Sequence, residues 1–284
     1  MKLQVTHETR YDYQPVVETA QHMAHLRPRN TEVQKLLSHA LTISPEPAQL
    51  TYTDDLYGNT RGFFSLQTPH HVLKVVADSV VLTEASLTPP PDLDAMTWEM
   101  ARDMFRYKAA SAYDSASEFV FASPGSPRHA DFVDYARPSF TPGRPLAEAA
   151  IELMTRIHTE FVYQSQSTEV DTTALAALAQ KKGVCQDFAH ILTACLRSYG
   201  LPARYVSGYL LTEPPPGQPR LIGSDASHAW ASVYIPATPE RAAKRRTGLD
   251  GRDADGPAGM WCDLDPTNNR WGFGSPGEDY VTLA

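Results

Sequence analysis

The sequence predicts an α+β chain in which an antiparallel β-sandwich comes first and a unit of helices and strands follows. Three observations predict it. Residues 1–87 hold a succession of segments rich in β-branched and aromatic residues, parted by turn signals such as DLYGN. Three consecutive prolines in TPPPDLD, residues 88–94, end that texture. Beyond residue 145, two stretches with helical spacing, PLAEAAIELMTRIHTEFVY and VCQDFAHILTACLRSYG, are followed by alternating segments such as HAWASVYIP.

Composition narrows the function classes. The 284 residues suffice for two domains with cores of their own. A hydrophobic share of 42% with 20% charged residues is that of a soluble globular chain, and the sequence has no apolar run long enough to span a bilayer, so no membrane partner is expected. The first residues, MKLQVTHETRY, alternate polar and apolar side chains and lack the apolar stretch of an export signal, which points to the cytoplasm. Lys+Arg number 25 against 33 Asp+Glu, a net charge of -8 with the acids spread out, so nucleic acid is not an expected partner. Cys185, Cys195 and Cys262 are an odd count at unrelated spacings, which fits neither a disulfide framework nor the paired ligands of a structural zinc site.

Taken in order, residues 1–87 give strands from KLQVTHETRYDY to HVLKVVADSVVLTE. His22, His25, His70 and His71 lie among them with no repeated spacing and no accompanying carboxylate or cysteine cluster, so they are read as ordinary strand residues. Residues 88–145 connect the two parts. DAMTWEMARDMFRYKAASAY has helical spacing that sets Met96, Met100, Met104 and Tyr107 on one packing face, and the proline-rich residues 123–145 read as an extended strap. Residues 146–284 form the second part, opening with an amphipathic helix whose stripe runs through Leu146, Ala150, Leu153, Ile157 and Phe161.

The segment TTALAALAQKKGVCQDFAHILTACLRSYGLPARYVSGYL carries the first chemical signal. A short helix ends at Lys181 and Lys182, Gly183 permits the turn, and a new helix starts near Cys185 and runs to Tyr199, with Gly200 as its stop. Cys195 falls on the buried stripe. Cys185 instead stands where unpaired backbone N–H groups and the positive end of the helix dipole converge, a place that favours a thiolate nucleophile and could hold an oxyanion. A nucleophile needs a base. His190 lies five residues along the same helix, 140° around its axis from Cys185, so it points elsewhere. His228 in DASHAWASVYIP begins an alternating strand, where a loop can hand its side chain to a cleft. For the group that orients the imidazole, MWCDLDPTNN offers Asp265 at a strand end and, on the same face, Asp263. Asp265 equally suits a turn cap, as DPT sequences often do. Cys262 points the other way and is read as packing.

GVCQDFAH, then LPARYVSGY, then DASHAW, then DLDPTNN, taken in that order, resemble the bacterial branch of the transglutaminase-like superfamily, and HETRYDYQPVVETAQHMAHLRP resembles the β-rich region that precedes its catalytic core. The resemblance implies a papain-like core, with a cysteine helix packed on an antiparallel sheet that carries histidine and aspartate. It implies Cys185 as nucleophile, His228 as general base and acid, and Asp265 as the residue orienting that histidine. Gln186 and Asp187 match the family's CQD, and Asp225 and Ser227 precede the histidine in the matching DASHAW. Arg204 and Tyr205 are expected to pin the first strand of the sheet against the cysteine helix. Animal members place a tryptophan upstream of the cysteine to stabilise the oxyanion; here no tryptophan occurs between Trp98 and Cys185, and Tyr163 is the aromatic residue nominated instead. The polar stretch PATPERAAKRRTGLDGRDADGPAG reads as a disordered insertion. The chain stops at EDYVTLA, where members of the branch tend to continue, which implies a shortened form.

Such a triad performs acyl transfer on a peptide or protein amide, with hydrolysis or amine transfer as the resolving step. No acidic calcium loop is visible, so no cofactor or metal is expected. A non-catalytic peptide-binding module on the same core is the rival reading, and a zinc site from Cys185, His228 and Cys262 a third. The amide, the acyl acceptor and the oligomeric state are not written in the residues.

Overall fold

A computed structural model describes residues 1–109, 113–164, 172–211, 227–238, 240–241 and 259–284. The chain divides into two compact units. One comprises Met1–Ala85, Ser207–His228 and Glu278–Ala284, the other Ser86–Val206 and Ala229–Gly277.

Six strands open the first unit, β1 (Lys2–Val17), β2 (Ala20–Ala24), β3 (Gln34–Ser44), β4 (Gln49–Asp54), β5 (Thr60–Leu66) and β6 (His70–Thr83). All their pairings are antiparallel, in two three-stranded sheets ordered β1-β6-β3 and β2-β5-β4. Alternation along β6 sends Leu73 and Val75 into a cluster with Ile43 of β3 and with Phe64 and Leu66 of β5, so both sheets contribute to one core. This is the expected sandwich. A register shift between Leu36 and Ser38 interrupts the β3–β6 ladder beside Leu37, which is left exposed.

Two later stretches complete this unit. The second half of strand β9 (Ala203–Leu210) pairs with the last strand, Tyr280–Thr282, through Tyr280↔Leu210 and Thr282↔Gly208. Tyr209, Val281 and Leu283 then join Val81, Leu3 and Val5 in a second apolar cluster. The Gln34 side chain fastens the arrangement: its amide nitrogen donates to the carbonyls of Arg29 (2.7 Å) and Thr282 (2.8 Å), and its amide oxygen accepts from the Thr282 N–H (2.8 Å). Gln34 is buried, so these bonds satisfy groups that water does not reach.

The described residues of the second unit include the α-helices α1 (Trp98–Met104), α2 (Ala130–Ala136), α3 (Leu146–Glu160), α4 (Ala174–Gln180) and α5 (Cys185–Ser198). Two short strands, β7 (Val162–Tyr163) and β8 (Lys182–Gly183), pair in parallel just before α5. The first half of β9 lies beside β10 (Ser227–Pro236), which pairs antiparallel with β11 (Gly259–Asp265), which pairs with β12 (Arg270–Phe273). Leu153 and Ile157 of α3, and Phe188, Leu192 and Leu196 of α5, share a core with Ala231, Val233, Ile235, Cys262, Leu264 and Phe273 of the sheet. Helices packed on an antiparallel sheet are the α+β core that the sequence predicts. Among the described residues no helix is long and apolar enough to cross a membrane.

Several local expectations are corrected. Among the described residues, the α-helix expected over residues 94–113 is the shorter α1, ending at Met104; Met96 is buried ahead of it, whereas Met100, Met104 and Tyr107 are exposed and Ala101 is the buried position of the helix. The strap of residues 123–145 contains α2, capped by the His129 side chain accepting from the Asp131 N–H and anchored by buried Phe132 and Ala136. Lys181, not Gly183, adopts the left-handed conformation (φ 50°) that ends α4. Most of the stretch from Pro236 to Gly259 that reads as a disordered insertion lies outside the described residues. At its start Thr238 and Arg241 bond the carboxylate of Asp92.

Burial pushes His7, His22 and His39 below the usual imidazole value. A depressed value means the folded state resists a proton that the unfolded chain takes up readily, so the stability these groups contribute is present above about pH 6.5 and is lost as pH falls through their folded values. The urea midpoint measured at pH 5 should therefore lie below that at pH 7, and His39→Gln should shrink the difference; equal midpoints would contradict the assignment.

Candidate active site

The start of α5 is set by three adjoining residues. Val184 is extended (φ -114°, ψ 179°), the Phe188 N–H reaches the Val184 carbonyl to close the first helical turn (3.1 Å), and the Asp187 carboxylate folds back to accept from the Val184 N–H (2.8 Å). This is the carboxylate half of a capping box, and it places an acid in the helix's first turn. Cys185 is thereby the first helical residue, partly exposed, with exposed Gln186 beside it and Asp187 buried beneath. Gly183 is required here for closeness: a Cβ on it would lie 2.6 Å from Asp187 Oδ2 and 2.8 Å from Asp187 Cβ.

The far end of α5 is equally fixed. Arg197 is buried, its Nε donating to the Ala203 carbonyl (2.8 Å) and a terminal nitrogen to Ser123 Oγ (3.0 Å), and Gly200 stops the helix at φ +77°. Cys195 and Cys262 are fully buried, and burial pushes both thiols far up, out of the range in which thiolate forms. Of the three thiols, Cys185 alone meets solvent.

His228 follows Ser227 at the start of β10 and belongs to the first unit, where its ring tilts at 53° against Tyr280 with centroids 5.9 Å apart. Cys185 and Asp265 belong to the second. Farther along β10, Trp230 and Ser232, on the same face of the strand as His228, both donate to Asp263 Oδ1, the indole at 3.1 Å. Burial pushes the Asp263 carboxyl up; Arg204, Ser232 and Trp230 pull it down. Asp265 shares that face of β11, while Cys262 and Leu264 turn into the core.

Asp265 is fully buried and caps the turn that follows it. Its Oδ1 accepts from the N–H groups of Thr267 (2.9 Å) and Asn268 (3.4 Å), and its Oδ2 from the Asn268 side-chain amide (2.8 Å). The turn is bolted to α3: His158 Nδ1 meets the carbonyls of Pro266 and Thr267 at 3.1 Å, and Thr155 Oγ1 bonds Asn269 Oδ1 at 2.9 Å. Asn269 supplies the positive φ (51°) that turns the chain into β12.

The remaining candidates fare differently. Tyr163 is half exposed on β7, its ring edge-on to Phe188 at 6.3 Å. Asp225 lies outside the described residues. Arg204 does not pin β9 to the cysteine helix: alternation turns it to the other face, where its guanidinium lies 4.2 Å from the centre of the Trp261 ring. Tyr205 does face α5, stacking on His190 with centroids 4.4 Å apart. His190 also bonds Ser126 Oγ through Nδ1 (3.2 Å). Among the described residues no group of three or more His, Cys, Asp or Glu side chains could hold a metal ion.

Residues 3–82 match the family model of the bacterial transglutaminase-like N-terminal region, and residues 133–266 that of the transglutaminase-like superfamily. An uncharacterized protein of Mycobacterium tuberculosis is 41% identical over 275 residues, covering 95% of this chain and 79% of its own length. One from Mycobacterium leprae is 28% identical over 271 residues, covering 94% and 84%. The crystal structure of a candidate cysteine protease from Cytophaga hutchinsonii shares the fold, with a TM-score of 0.66 at 18% identity over 100% of this chain and 83% of that one.

Replacing Gly183 tests the start of the helix. Gly183→Ala should lower stability by about 1–3 kcal/mol in urea unfolding, because the new methyl can be relieved only by displacing the Asp187 side chain from Val184.

Proposed function

Because the chain belongs to the transglutaminase-like superfamily, we propose that it catalyses thiol-dependent acyl transfer on a peptide-like amide, with Cys185 as nucleophile, His228 as general base and acid, and Asp265 as the group orienting the histidine. The observation that carries this reading is the placement of the single solvent-reached thiol at the first residue of α5. There the first-turn N–H groups have no partner within the helix and can face a developing negative charge.

In the proposed cycle the Cys185 thiolate adds to the amide carbonyl carbon, and the carbonyl oxygen takes up the negative charge. Collapse breaks the C–N bond. The leaving amine or ammonia departs with a proton from the His228 imidazolium, leaving a thioester on Cys185. Water then gives a proton to His228 as its oxygen attacks the thioester carbon; collapse releases the carboxylic acid and restores the thiolate. An amine in place of water yields a new amide. Hydrolysis is the proposed outcome, since water needs no acceptor channel. Buried Asp265, held by its turn and anchored through that turn to α3, is a rigid acceptor suited to fixing an imidazole tautomer.

Iodoacetamide at pH 7 followed by peptide mass spectrometry should modify Cys185 and leave Cys195 and Cys262 intact. Slow labelling of Cys185 at the pace of an ordinary thiol would favour a binding module instead. In a screen of peptide amides for ammonia or amine release, Cys185→Ser should abolish turnover. Asp265→Asn should lower kcat by about 10²- to 10⁴-fold through the wrong histidine tautomer. It should cost about 1–3 kcal/mol of stability, since the new amide nitrogen meets the donating amide of Asn268, which must turn over to accept from it. Unchanged kcat would remove Asp265 from the mechanism.

A further inference from the structure

The first unit carries a feature that the proposed cycle does not use. Two open cavities of about 220 and 320 Å³ adjoin on the sandwich and share Arg27, Asn30 and Leu36. Arg29 and Asp54 line the larger, His39 and Tyr52 the smaller. The stretch that supplies the arginines is fixed through its backbone. Pro28 is buried, the Arg29 carbonyl accepts from the Gln34 amide (2.7 Å), and the Arg29 N–H donates to the Thr282 carbonyl (3.3 Å).

Positive charge here lacks a bonded counter-charge. The partly buried Arg29 guanidinium donates to Asn59 Oδ1 (3.1 Å), and among the described residues no carboxylate forms an ion pair with it. Arg27 is exposed and, among the described residues, makes neither a hydrogen bond nor an ion pair. The neighbouring acids are engaged elsewhere. Asp55 accepts from the N–H groups of Tyr57 and Asn59 (both 2.9 Å) and from the Asn59 amide (3.2 Å), while Asp54 accepts from Thr60 Oγ1 (2.8 Å). Burial works against the Arg29 charge, and Asp55 offsets only part of that. A guanidinium drawn out of water without a bonded carboxylate favours an incoming anion.

Further donors lie around the two arginines. Asn30 spends its side-chain oxygen on the Leu36 N–H (2.8 Å), which leaves its NH₂ group to donate, and His39 is tied through Nδ1 to Ser79 Oγ (2.9 Å), which leaves Nε2 for a ligand. Part of the lining is apolar. The register shift in β3 leaves Leu37 exposed, and Tyr52 of β4 lies against its cross-strand partner Gly62, where a Cβ would fall 3.2 Å from the ring. We propose that this face of the sandwich is a binding site for a small organic oxyanion, a phosphate or carboxylate carried on an apolar body, with Arg27 and Arg29 holding the oxygens and Leu37 and Tyr52 covering the body.

The site is independent of the reading of Cys185 as nucleophile. Its test is an NMR titration of the full ¹⁵N-labelled chain at pH 7 with phenyl phosphate and phenylacetate, each beside its parent ion, inorganic phosphate or acetate, and with sodium chloride at matched ionic strength as the control. One of the two aryl anions should give saturable shifts confined to residues 27–30, 36–39 and 52–60, with a Kd on the order of 1 mM. The tighter of the two identifies the site as one for phosphate or for carboxylate, and its parent ion should bind about tenfold more weakly for want of an apolar body. Arg27→Gln removes a side chain that makes no bond in the fold, so it should melt with the wild type and bind about tenfold more weakly. Arg29→Lys, which keeps the charge and loses the planar fork, should weaken binding by a similar factor. Shifts reproduced by sodium chloride, or affinities unchanged in both variants, overturn the proposal. A parent ion that binds as tightly as its aryl form overturns the part given to Leu37 and Tyr52.

Discussion

The hydrogen bond from the Val184 N–H to the Asp187 carboxylate decides where α5 begins, and the rest of the site depends on that point. Move the helix start by one residue and a different side chain occupies the first position, 100° around the axis. The bond is sheltered rather than strong by itself: Asp187 is buried, Gly183 leaves room for its side chain, and β8 arrives at the helix already paired with β7. At the other end Arg197 ties the helix to Ala203 at the start of β9. One short helix is thus clamped at both ends, and its first residue is presented with little play.

The sheet supplies a second kind of constraint. Alternation along β11 divides its side chains between an apolar face, with Cys262 and Leu264, and a polar one, with Asp263 and Asp265. The two acids are held in different ways. Asp263 sits among side-chain donors within the sheet, whereas Asp265 is satisfied by the turn that follows it and by a partner within that turn. A carboxylate fixed by its own backbone turn keeps its position even if the strands shift slightly, which suits the orienting role proposed for Asp265.

Much of this was legible in the residues. The period-two pattern of residues 2–83 marks the sandwich because each strand has one wet face, and glycine and apolar spacing locate α5 to within a residue. Other features were hidden for identifiable reasons. Prolines on either side of ADFVDYA mask α2, whose cap is a histidine side chain rather than one of the common capping residues. Methionines spaced four apart suggest a buried stripe, yet α1 stops after seven residues and only Ala101 is covered. The role of Gly183 is steric and depends on Asp187, four residues away, so no backbone rule announces it. The contact of Tyr205 with His190 joins a strand to a helix and is set by packing, not by any local pattern.

The clasp of Gln34 on Thr282 has a consequence for how the polypeptide is made. The sandwich is encoded almost wholly at the amino end, but the cluster of Leu3, Val5, Leu36 and Val81 is completed by Tyr209, Val281 and Leu283. On the ribosome, those greasy surfaces emerge early and wait while some two hundred further residues are translated. The amino-terminal piece therefore completes its packing only when the last residues are made.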